Sequence, residues 1–231
     1  MPYREFYRRY LPHWQPSEAA LFVTFRLAGS IPQSVIEELL KEREIELRKL
    51  TRITDQTQRE RQGDRDNRRS FGRWDEALDQ SSAGPRWLCQ PDIAEIVVEA
   101  LHYRDGKFYD LLAYCIMPNH VHMVFTVARI DNPGYIRSQI EISANDNPVP
   151  LQSIMQSLKR HTARRANIIL GRQGAFWQEE YYDHVARDSE ELDRIIQYVL
   201  NNPVKAGFVE KWEDWRWSYC KPDLFSNDRP D

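Results

Sequence analysis

The chain has 231 residues, of which 41% are apolar and 12% aromatic, and a net charge of −3. These values suit one globular domain with a real core and exclude a disordered chain. No run of about 18 apolar residues is present, and the opening MPYREFYRRYLPHW lacks the apolar stretch of a signal peptide, so no membrane span is expected and the expected location is the cytoplasm.

Residues 20–27, ALFVTFRL, are β-branched and aromatic and stop at Ala28-Gly29, which predicts a strand. Pro32 opens a helix from Ser34 to about Leu50, with Val35, Ile36, Leu39, Leu40 and Leu47 at helical spacing. Residues 51–70 are almost wholly polar and read as an exposed helix extension or a mobile linker. Pro91 starts a further helix that ends near Asp105-Gly106. The next segments, KFYDLLAYCIM and HVHMVFTV, read as two strands separated by Pro118-Asn119. Residues 129–150 read as a loop, Leu151 to Leu170 as a basic helix ended by Gly171, and AFWQEEYYDHVA as extended. Ser189 can cap a last helix, with Glu190 and Glu191 in its first turn and Pro203 ending it within about a turn.

This order predicts an α+β fold. One antiparallel sheet, ferredoxin-like or RRM-like, would carry helices on one face, with a helical insertion at about 31–90 after the first strand. All of 1–231 then forms a single domain. The cysteines Cys89, Cys115 and Cys220 are far apart and not in zinc spacing, and Cys115 reads as a small core residue.

Two features carry chemistry. His120 and His122 are one residue apart on a strand, so both imidazoles project from one sheet face. Val121, Met123, Phe125 and Val127 then point to the other face, under the helices. Such a pair can share one divalent ion and polarise a phosphate oxygen, although two strand histidines without a ligand share the same spacing. The second feature is charge. Residues 151–172 hold five Lys or Arg and no acid; Lys159, Arg160, Arg164 and Arg165 would stand on a helix beside Ile154, Leu158 and Ile168. That face reads either as a phosphate-binding surface or as an ordinary solvated one. With eleven tyrosines, composition cannot choose a nucleophile. Trp177 and Trp217 could stack on bases but read as core.

The ordered segments FVTFRLAGSIP, LLAYCIMPNHVHMVF, LQSIMQSLKRHTARRAN, GAFWQEEYYDHVARD, YVLNNPVKAGFV and WRWSY resemble the REP-associated tyrosine transposases, HUH single-strand endonucleases related to the insertion-sequence 200-like transposases. The resemblance implies that His120 and His122 are metal ligands, with Val121 as the hydrophobic middle residue, and that Tyr198 is the nucleophile. It places a polar third ligand one helical turn after the tyrosine, where Asn202 stands; Asn202 as a simple helix cap before Pro203 remains open. Mg²⁺ or Mn²⁺ suits such a set. Tyr181 and Tyr182 compete with Tyr198 only by residue type. The implied activity is nicking and rejoining of single-stranded or hairpin DNA through a 5′-phosphotyrosine. A non-catalytic hairpin-DNA binding protein and an HUH replication initiator are the alternatives. Monomer and dimer both remain open.

Overall fold

An unbroken run of apolar and β-branched residues builds β1 (Ala20–Arg26), which is buried along almost its whole length because both sheet faces are covered. The computed structural model describes residues 20–81, 84–127 and 149–224; most of the expected 129–150 loop and the N-terminal segment lie outside them. After β1 come α1 (Gln33–Leu50), α2 (Gln56–Gln80) and α3 (Pro91–Arg104), then β2 (Tyr109–Ile116) and β3 (His120–Val127). The chain continues through α4 (Leu151–Ile169), β4 (Tyr182–Val185), α5 (Ser189–Lys205) and a short β5 (Ser218–Cys220).

The strands form one antiparallel sheet in the order β4-β1-β3-β2-β5. The first four strands, with α3 and α4 as crossovers, give the two interlocked split β-α-β units of a ferredoxin-like core, as the sequence predicts. The α1–α2 pair is the insertion after β1, and β5 extends the edge beside β2. Among the described residues no helix is long and apolar enough to cross a membrane.

Each face of the sheet has its own core. Val121, Met123, Phe125 and Val127 pack with Ile93, Val97 and Leu101 of α3 and Ile154, Met155 and Leu158 of α4. Trp177, Trp217 and Tyr181 join this side, and the Trp177 indole donates to Thr162 Oγ1 at 2.8 Å, so both tryptophans are core residues as expected. The opposite face is not bare. Ile196, Val199 and Leu200 of α5 pack there on Phe22, Ala113, Cys115 and Val124, with Phe71 of α2 alongside. The expectation of helices on one face is corrected accordingly: β2 is apolar on both sides, and so it takes a helical layer on each. Cys115 is indeed a buried core thiol, its pKa pushed up to about 12 by burial.

Three local readings also change. Of the two readings of the polar 51–70 segment the helical one holds, but as a separate helix: it forms most of α2, whose N-cap Asp55 accepts from Gln58 N. The cap of α5 is Asp188, one residue before Ser189, and accepts from Glu191 N at 2.7 Å. Ile168 is 72% exposed and does not belong to the apolar face of α4.

Phe125→Ala should therefore cost about 3–5 kcal/mol of unfolding free energy. Ile168→Ala should change it by less than about 0.5 kcal/mol. Urea titrations read both, and an equal loss in the two variants would contradict the assignment of faces.

Candidate metal and nucleophile centre

β3 is the central strand, and its register sets the site. Arg26 pairs with His120 and Thr24 with His122 across β1, so Phe22, Thr24 and Arg26 share the histidine face. His120 is 1% exposed and His122 fully buried. Their Nε2 atoms lie 2.9 Å apart.

The outer nitrogens fix the rings. His120 Nδ1 is 2.7 Å from Asn119 Oδ1, and the Asn119 amide nitrogen donates to the Leu78 carbonyl at 2.9 Å. Asn119 Oδ1 is thus an acceptor, His120 Nδ1 carries the hydrogen, and the His120 Nε2 lone pair faces inward. Burial, then the neighbouring His122, pushes the His120 pKa down to about 3, which keeps the ring neutral. His122 Nδ1 is 2.7 Å from Thr24 Oγ1, a partner that can accept when His122 offers its inner nitrogen. The donor set is thereby suited to a cation: two oriented imidazoles with outer-shell partners.

Asp75, which the sequence reading did not single out, closes the group. It is 1% exposed, and its Oδ1 lies 3.2 Å from His122 Nε2, without another hydrogen-bond partner for that oxygen. Asp75, His120 and His122 each place a ligand-type atom within 4.8 Å of the others. Burial alone would raise the Asp75 pKa, but contact with His122 and the hydrogen bond from the Tyr198 hydroxyl outweigh it and hold the carboxyl well below its usual range. The signal in the sequence was the spacing Phe71, Trp74, Asp75, Leu78, an amphipathic turn inside a polar segment.

Tyr198 reaches this group from α5. Its hydroxyl donates to Asp75 Oδ2, a contact between residues 123 apart in sequence, and its ring lies 5.8 Å from that of His122 and 5.8 Å from that of Phe71. Burial, then the Asp75 charge, raises the phenol's pKa far above its ordinary value, so the hydroxyl is protonated here. Asn202, one turn on, is 1% exposed; its amide atoms make no hydrogen bond of ordinary geometry, although the amide lies near enough to the Tyr198 hydroxyl to favour its ionised form slightly. It does not cap the helix, whose end is closed by backbone N–H groups of Ala206, Gly207 and Phe208; Gly207 supplies the left-handed residue at φ 74°. Lys205 Nζ contacts Asp75 at 3.5 Å and Asp79 at 3.0 Å, tying α5 to α2.

Tyr182 shares the histidine face but packs on Phe71 at 4.3 Å and Phe22 at 6.0 Å. Tyr181 joins the opposite core and lies under Lys159. The basic helix α4 is also on that opposite side, so the sheet stands between it and the histidines. Lys159 donates to the Gln178 and Glu179 carbonyls at 2.5 and 2.7 Å, and burial lowers its pKa to about 8. Arg165 pairs with Glu99. Arg160 and Arg164 are exposed.

No protein-family model matches the chain. Among curated proteins, it is 27% identical over 116 residues to a Haemophilus influenzae protein assigned as a REP-associated tyrosine transposase, covering 50% of this chain and 61% of that one. It is 24% identical over 121 residues to the REP-associated tyrosine transposase of Escherichia coli, covering 52% and 59%. The aligned region thus spans about three fifths of these relatives. A solved structure of the REP-associated tyrosine transposase bound to a REP hairpin covers 96% of this chain and 93% of its own, with a TM-score of 0.46 and 13% identity. By sequence the chain is similar to REP-associated tyrosine transposases, the family that its ordered motifs resemble.

Asn119→Ala should leave His120 Nδ1 and the Leu78 carbonyl without partners, at a cost of about 1–3 kcal/mol. Denaturation measures it, and hydrogen exchange should report the loosening first at the C-terminal turns of α2. Unchanged stability and exchange would mean that Asn119 does not link β3 to α2.

Proposed function

We propose that this chain is a transposase-like single-strand DNA endonuclease and strand transferase that acts on REP-like hairpin DNA through a 5′-phosphotyrosine intermediate. The observation that carries the reading is the meeting of Tyr198 with the His120–His122 pair through Asp75. A core-packing tyrosine does not need to be hydrogen-bonded to a buried carboxylate beside two oriented imidazoles.

His120, His122 and Asn202 are the proposed ligands of Mg²⁺ or Mn²⁺, and the unpartnered Asn202 amide supports its place among them. A bound ion would polarise the scissile phosphate. Tyr198 Oη then bonds to phosphorus as the P–O3′ bond breaks; the electron pair stays with the 3′ oxygen, which takes up a proton, and the phenol proton leaves. The covalent link conserves the phosphodiester, so that a second 3′-OH can reverse the step and rejoin strands. Because Tyr198 lies against its own chain's histidines, the geometry favours action in cis. The whole chain works as one HUH unit, α1 and α2 included, in the cytoplasm where its DNA is found.

A hairpin-binding protein without cleavage is the second reading, and the depth at which the histidines are buried favours it. The two readings separate on Tyr198→Phe, which removes only the hydroxyl. The variant should bind hairpin DNA with wild-type affinity and remain within about 2 kcal/mol of wild-type stability, yet form no covalent band with Mn²⁺ and a single-stranded hairpin oligonucleotide. His120→Ala and His122→Ala should lower cleavage by orders of magnitude. Equal cleavage by Tyr198→Phe would end the proposed mechanism, and absence of cleavage by the wild type would favour the binding protein.

Of the four basic residues proposed for phosphate contact, Lys159 and Arg165 are engaged within the protein and Arg160 and Arg164 are exposed. Arg160→Gln with Arg164→Gln should flatten the slope of log K against log salt by up to about 2. Lys159→Gln should instead lower stability, by loosening α4 from residues 178–179. An unchanged slope in the double variant would place the DNA wholly on the other face.

A further inference from the structure

The geometry points to Asp75 as an additional, anionic ligand of the metal, so that the insertion helix α2 is a structural part of the catalytic centre. This inference rests on the metal-dependent reading above and deepens it.

Charge gives the first argument. His120, His122 and Asn202 are neutral donors, and all three are buried. A dication held only by neutral donors in a closed site keeps its full charge away from water, which is costly; one carboxylate halves the charge and supplies the oxygen that Mg²⁺ and Mn²⁺ prefer. Geometry gives the second. Two donors at right angles around an ion with bonds of about 2.1 Å are about 3.0 Å apart. The His120–His122 Nε2 separation is 2.9 Å, and the His122 Nε2–Asp75 Oδ1 separation is 3.2 Å. The third is the surroundings of Oδ1: this buried carboxylate oxygen has His122 Nε2 at 3.2 Å and a His120 ring nitrogen within 4.8 Å, so a ligand-type oxygen joins the two imidazoles in one cluster.

The two oxygens divide the work. Oδ1 faces the imidazoles, and Oδ2 accepts from Tyr198. Asp75 is therefore also a positioning residue that sets the phenol relative to the metal. The α2 backbone is held for this purpose by the Asn119–Leu78 bond from β3 and by Lys205 of α5.

Calorimetry with Mn²⁺ on the full chain tests the assignment. Asp75→Asn keeps the shape and removes the charge; Asp75→Ala removes both ligand atoms. Each should bind Mn²⁺ at least tenfold more weakly than the wild type. On the wild type alone, hydrogen exchange with and without Mn²⁺ should show new protection at residues 71–79, a readout that does not depend on either variant folding. Equal or tighter Mn²⁺ binding by the variants would overturn the proposal and make Asp75 a plug that competes with the ion; so would an absence of Mn²⁺-dependent protection in α2. Failure of the strand-transfer reading looks different: Mn²⁺ binding that weakens in the variants while the wild type forms no covalent DNA adduct would retain the ligand and remove the nuclease. A wild type that binds no Mn²⁺ would overturn both.

Discussion

A carboxylate as deeply buried as Asp75 stays ionised only while polar partners surround it, and here three such partners come from two different elements: His122 from β3, and Tyr198 and Lys205 from α5. The cost of leaving that charge unpaired exceeds the gain from any single apolar contact nearby. Helix α2 therefore has one favourable register against α5 and the sheet, the one that places Asp75 between the imidazole and the phenol. Asn119 extends the same constraint, because one side chain both orients His120 and holds the Leu78 carbonyl at the end of α2.

The two faces of the sheet consequently do different things. The α3–α4 face is an apolar core, with Tyr109 donating its hydroxyl to the Leu101 carbonyl at 2.8 Å and Trp177 satisfied by Thr162. The α2–α5 face has a smaller apolar cluster and holds the titratable groups. Ferredoxin-like sheets leave one face available once two crossover helices have covered the other. This chain fills that face with elements from the insertion and from the segment after β4, and the site lies where they meet.

Much of this was legible in the sequence. Strict alternation over HVHMVFTV placed both histidines on one side and four apolar residues on the other, and the structure has that arrangement. The α5 spacing put Tyr198 and Asn202 on a common face; Tyr198 packs against Phe22 of the sheet and Asn202 is buried. What escaped notice follows from how the signals are built. In α2 the first four turns are polar, so that composition hides the last stretch, Phe71 to Asp79, that reaches the site. In α4 net charge drew attention to a helix whose arginines and lysine lie across the sheet from the histidines, because charge along a segment does not say which face that segment will cover. Arg26 was passed over as part of an apolar strand, although its register opposite His120 puts it on the functional face.

Peptide mapping of a trapped adduct shows whether the Tyr198 oxygen is the nucleophile that joins this chain to DNA. The wild-type chain would be incubated with Mn²⁺ and a single-stranded hairpin oligonucleotide, digested, and read by tandem mass spectrometry. The account predicts a nucleotide joined through a phosphodiester to Tyr198, in the peptide that carries IIQYVLNNPVK. A nucleotide on Tyr181, Tyr182 or any residue other than Tyr198 would contradict it.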